Sequence, residues 1–192
     1  MKIAKIIRVL TVAPVMATVT LCALYFVNSQ IFGEWYHFAI SIFFLGILPL
    51  LAYPLQPYIP KFKDKGREGQ RTLAMLFAVG GYILGCLTNL FFEAEVSLWI
   101  IYLDYLISGL FILLFNKIFH LRASAHACGV AGPAALAMYL GIPAAIIPGV
   151  ALYFGALWAS LKMKRHTWQQ FIGGAAISLC VLCGLHLIFY VI

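Results

Sequence analysis

Residues 9–33, 35–56, 72–92, 123–161 and 166–192 contain no Asp, Glu, Lys or Arg. Uncharged apolar runs of this length leave few folds open. A helix that crosses a bilayer needs about 20 such residues. The runs are too continuous for the alternating pattern of membrane-barrel strands. Composition agrees: 64% of residues are hydrophobic, 10% are charged and the mean hydropathy is +1.00, whereas a water-soluble domain is about a quarter charged. The chain therefore reads as one all-α polytopic membrane helix bundle over residues 1–192.

The pattern predicts seven spanning helices, at about 7–28, 35–56, 71–92, 97–117, 124–141, 143–161 and 168 onward. Trp35, Tyr36, Tyr53, Trp158 and Trp168 near their ends fit an interfacial aromatic belt. Counting crossings puts all thirteen Lys and Arg on one side and Glu34, Glu93 and Glu95 on the other. The positive-inside rule then predicts a cytoplasmic location for the first residues and the basic loops. Cations that serve a phosphate site would weaken that rule, but Lys2, Lys5 and Arg8 read as topology alone.

Polar residues concentrate on the basic side. His126 opens the fifth expected helix in "RASAHACGVAGP", and His166 closes the loop "SLKMKRHTWQQ" before the last. Helices five and six form a hairpin that returns the two histidines to one membrane face. Arg122, Lys162, Lys164 and Arg165 lie close by in sequence. Ser124 is placed to cap helix five, whose first N–H groups form an anion site. Paired imidazoles among cations suit phosphoryl transfer without a metal. One attacks phosphorus, the other protonates the leaving oxygen, and the cations hold the equatorial oxygens.

"SAHACGVAGP" followed by "SLKMKRHTWQQFIGG" resembles the type 2 phosphatidic acid phosphatase superfamily, membrane relatives of vanadium haloperoxidases, over about residues 117–176. That family carries K-x6-R-P, P-S-G-H and S-R-x5-H-x3-D. The resemblance, which is to small prokaryotic members, implies a six-helix core in a prokaryotic cell membrane, no cofactor and no metal. It makes His166 the nucleophile, His126 the general acid and Ser124 a phosphate contact. Alanines 123 and 125 replace Pro and Gly of the second motif, Ser160 stands at the third-motif Arg, and Gln170 stands where Asp would orient the nucleophile. Lys162, Lys164 or Arg122 could stand in for that Arg. The first motif falls in 61–71, "KFKDKGREGQR", where the spacing from Lys63 or Lys65 to Arg71 is off by one; Arg71, Arg67 and Lys63 are its candidates. Arg67 and Arg71 share a face if helix three starts early.

The implied activity is hydrolysis of a lipid phosphate or isoprenoid diphosphate through a phosphohistidine, with membrane lipids as surroundings and no nucleic-acid partner. The alternative is a weak or inactive relative that binds or transports anionic lipid headgroups. Asp104, inside helix four, is expected to hydrogen-bond a neighbour such as a Tyr hydroxyl rather than join the site. Cys180 and Cys183 form C-x-x-C, but with no second ligand pair they read as core packing rather than a metal site.

Overall fold

The computed structural model describes residues 1–191. It is a helix bundle with no strand among the described residues. The helices are α1 (Lys2–Leu10), α2 (Ala13–Val27), α3 (Trp35–Ser41), α4 (Leu48–Leu55), α5 (Gly66–Phe91), α6 (Val96–Lys117), α7 (Ala125–Tyr139), α8 (Ile146–Lys162) and α9 (Trp168–Tyr190). A π-helical segment, Ile42–Ile47, joins α3 to α4, so 35–58 runs as one rod. Among the described residues five helices are long and apolar enough to cross a membrane, or six if α1 and α2 count as one bent span.

Two departures from the expected seven have local causes. The first expected helix is broken: α1 and α2 meet at 52°. Val12 is extended and Pro14 sits in the first turn of α2. Proline has no N–H to offer the carbonyl four residues back, so the helix stops and restarts. The fifth expected helix is α7, only 15 residues long, about 22 Å at the helical rise and short of the 30 Å hydrocarbon layer. Helix three begins at Gly66 rather than 71, which sets Arg67 and Arg71 on successive turns of one face.

The main core gathers Leu21, Leu24, Phe32, Leu45, Leu98, Ile101, Tyr102, Leu136 and Leu185. Close approach of helices relies on small residues, as expected in a bilayer where burial alone does not drive association. A Cβ on Gly85 would enter the ring of Tyr102, which is buried and donates its hydroxyl to Ser41 Oγ at 3.1 Å. A second contact of this kind lies at the start of α7. A Cβ on Gly174 of α9 would strike the backbone carbonyl of Ser124. The bare glycine lets the start of α7 rest on α9, where Ser124 N–H donates to Gln170 O at 2.9 Å.

The expected Tyr hydroxyl partner of Asp104 is absent: Asp104 is buried, and its Oδ1 and the Tyr105 hydroxyl both lack a hydrogen-bond partner among the described residues. Cys180 and Cys183 are exposed on the outer face of α9, not packed in the core. In a bilayer that face meets lipid as apolar as any core, so a small thiol is accommodated there without a packing partner.

Candidate functional site

The expected helix cap forms as the sequence requires. Ser124 Oγ accepts the N–H of Ala127 at 3.2 Å and the residue is completely buried. In this arrangement its oxygen serves the helix start. Two residues on, His126 projects from the first turn of α7, half-buried, with its ring 6.4 Å from that of Phe171. Its Nε2 lies 3.0 Å from Thr11 Oγ1. The threonine hydroxyl has one hydrogen, and that hydrogen goes to Ile7 O at 2.7 Å. Thr11 therefore accepts, and His126 carries its proton on Nε2.

His166 is placed by the start of α9. Thr167 and Gln170 form a reciprocal capping box: Gln170 N–H donates to Thr167 Oγ1 at 3.3 Å, and Thr167 N–H donates to Gln170 Oε1 at 3.2 Å. A backbone N–H can only donate, so the amide oxygen is the atom that faces this turn. The same Oε1 stands 3.4 Å from His166 Nδ1. Nδ1 must then donate, through a long bond, and Nε2 is left with a free lone pair. That is the tautomer a nucleophilic imidazole needs.

Burial lowers the pKa of His166 below its ordinary 6.5. The Gln170 bond opposes this, and the charges of Arg8, Arg71 and Arg165 lower it further. Burial lowers the pKa of His126 as well, and the charges of Arg8 and His166 lower it further. Arg67, Arg71 and Arg165 all bear on Arg8. Thus α1, α5, α7 and the α8–α9 turn bring two imidazoles and four guanidinium groups to one end of the bundle.

An open depression of about 650 Å³ lies at this end, lined by His166, Gln170, Arg122, Lys164, Arg165 and Trp168 among others. Arg122 and Lys164 both have left-handed backbones, at φ +48° and +52°, a conformation that costs a residue with a Cβ about 1 kcal/mol. Of the expected phosphate ligands, Arg71 and Arg67 lie in the guanidinium cluster, and Arg122 and Lys164 line the depression. Lys63 is exposed on the short turn before α5, outside that lining. Lys162, one of the stand-ins for the missing Arg, sits over the Trp158 ring at 5.4 Å.

Two residues escaped the sequence reading. Arg8, which the charge pattern alone explains as a topology signal, donates from Nη1 to Ser160 Oγ at 2.9 Å. Thr11, buried and not singled out, holds His126. The signal that could have found them is a stripe: Ala4, Arg8 and Thr11 recur at i, i+4 and i+7, with Ala4 and Thr11 buried, while Ile3, Ile6, Val9 and Leu10 are exposed. Among the described residues no cluster of three or more His, Cys, Asp or Glu side chains forms a metal site. No family profile, curated protein or solved structure matches the chain.

Proposed function

We propose that the protein is a membrane phosphatase that hydrolyses a lipid phosphate or isoprenoid diphosphate through a phosphohistidine on His166. One observation carries the reading. Two imidazoles distant in sequence come close enough to act on each other electrostatically among arginines, and the long bond to Gln170 leaves His166 Nε2 bare. Headgroup binding requires cations but not a histidine in a defined tautomer.

In the proposed reaction, Arg71, Arg67, Arg165, Arg122 and Lys164 hold the phosphoryl oxygens. His166 Nε2 forms a bond to phosphorus as the bond to the leaving oxygen breaks, and His126 gives that oxygen a proton. Burial and Arg8 disfavour the imidazolium of His126, and the bound phosphate dianion opposes them. Water then attacks the phosphohistidine, His126 takes back a proton, and inorganic phosphate leaves with His166 restored. The guanidinium groups stabilise the charge on the equatorial oxygens, the role a metal fills in other phosphoryl transfers. Gln170 orients His166 but brings no charge to steady a developing imidazolium, so turnover is slower than with a carboxylate there. We place the site at the cytoplasmic face, where Lys2, Lys5 and the basic loops keep the positive-inside argument without Arg8.

Purified protein in detergent, given phosphatidate, phosphatidylglycerol phosphate and prenyl diphosphates with chelator present, is expected to release phosphate from at least one. His166→Ala is expected to abolish release. No release from any substrate, with anionic headgroups still bound by wild type and by His166→Ala, would replace this reading with lipid binding.

A further inference from the structure

Twelve of the thirteen lysines and arginines are exposed, and Arg8 alone is half-buried. A guanidinium withdrawn from water needs partners to replace it. Arg8 has one among the described residues, the completely buried Ser160 Oγ at 2.9 Å. A guanidinium carries five N–H donors, so four are left without a protein acceptor. The groups acting on it electrostatically are themselves cations: Arg165 from the α8–α9 turn and Arg67 and Arg71 from α5. A partly desolvated cation with spare donors, facing like charges, lacks an anion.

The helix that carries it is not loosely attached. Ala4 is buried, and Thr11 is buried and bonded to His126. Position 160 is a serine on α8, and the guanidinium that reaches its hydroxyl comes from α1.

We propose that Arg8 is a catalytic residue whose guanidinium, anchored by Ser160, binds a phosphoryl oxygen beside His166. This rests on the phosphatase reading for its chemistry, but the anion site can be tested without turnover. A planar fork gives two parallel bonds to one phosphoryl group, which a lysine cannot reproduce.

The test compares wild type, Arg8→Gln, Arg8→Lys and the exposed-residue control Lys5→Gln, all in detergent. Two readouts are taken: the affinity for inorganic phosphate and the pH profile of phosphate release. Losing a charge-assisted hydrogen bond is expected to weaken phosphate binding and slow release by about 10- to 100-fold in Arg8→Gln, with Lys5→Gln within about twofold of wild type. The acid limb of the profile is expected to move to higher pH in Arg8→Gln. Arg8 on α1 is one of three cations lowering the His166 pKa, with Arg71 on α5 and Arg165 in the turn, while Gln170 on α9 opposes them and His126 on α7 lies close. A residue that only supports packing would not move that limb. Phosphate affinity in Arg8→Gln within about twofold of Lys5→Gln would overturn the inference, as would failure of wild type to bind phosphate. If Arg8→Gln does not fold, the same criteria apply to Arg8→Lys, which keeps the charge and loses the fork. Wild type that binds phosphate through Arg8 but releases none from any substrate would refute the phosphatase reading and leave the anion site standing.

Discussion

Gly173 and Gly174 are adjacent in α9, and the structure assigns opposite signs to the same substitution at the two. A Cβ at 174 would meet Ser124, the cap of α7, with its carbonyl carbon at 2.9 Å and its nitrogen at 3.0 Å, and the carbonyl oxygen nearer still. These are backbone atoms at a helix start and cannot rotate away. Relief requires α7 to lift off α9, which stretches the Ser124 N–H to Gln170 O bond. Overpacking costs about 1–3 kcal/mol and the weakened hydrogen bond about 1 kcal/mol, against about 1 kcal/mol gained by replacing a helical glycine with alanine. Gly174→Ala is therefore expected to lose about 1–3 kcal/mol. A Cβ at 173 meets nothing within 4 Å, so Gly173→Ala gains up to about 1 kcal/mol from propensity alone. The difference of about 1–4 kcal/mol corresponds to melting temperatures roughly 2–16 °C apart for a chain of this size. Thermal unfolding of both variants in the same detergent reads it directly. Indistinguishable melting temperatures would refute the seating of α7 on α9.

The depressed pKa of His166 sets two pH dependences. In the proposed reaction its neutral form is the nucleophile, so the acid limb of phosphate release is expected below pH 6.5, and a limb at or above 6.5 contradicts the environment described. The linked stability follows the same sign: the folded state disfavours protonation, so stability is retained above 6.5 and lost as pH falls from 6.5 through the lower folded-state value. Gln170→Glu keeps an acceptor for Thr167 N–H and His166 Nδ1 and adds a negative charge, so it is expected to move the acid limb to higher pH and to speed the step that makes an imidazolium. Thr11→Val keeps shape but removes the acceptor for His126 Nε2–H. It is expected to cost about 1–3 kcal/mol by thermal unfolding, and Thr11→Ser, which keeps the hydroxyl, less. Thr167→Ala removes one half of the capping box and is expected to cost about 1 kcal/mol, while leaving Thr167 N–H to hold Gln170.

Hydrophobic runs were enough to read an all-α membrane bundle from the sequence, because in a bilayer each spanning segment satisfies its own backbone and announces itself by length. They were not enough for the count. Pro14 breaks a run that looks continuous in composition, and the short α7 looks like a span because Gly141 and Pro143 separate it only weakly from α8. Ser124 as a cap was legible, since the preference is local. So was the pairing of His126 with His166, which follows from two helices folding back on each other. Arg8 was hidden for a physical reason. A cation near the start of a first membrane helix satisfies the positive-inside rule whether or not it also turns inward, and only the packing of Ala4 and Thr11 shows which face of α1 is buried. The Gln170 position was legible as a departure from a motif. Its structural reason was not: Gln at the third helical residue completes a capping box with Thr167, and that box aims the amide oxygen at His166.

The central claim is a covalent phosphohistidine on His166. The most direct measurement is to mix the protein with phosphatidate and prenyl diphosphates labelled at the phosphoryl group, quench in alkali during turnover, and locate the label by peptide mass. The account predicts label on His166, stable in base and lost in acid, absent from His166→Ala and accumulating in His126→Ala when the leaving group needs no proton. Phosphate release that proceeds with no label on His166, or with undiminished rate in His166→Ala, would contradict it.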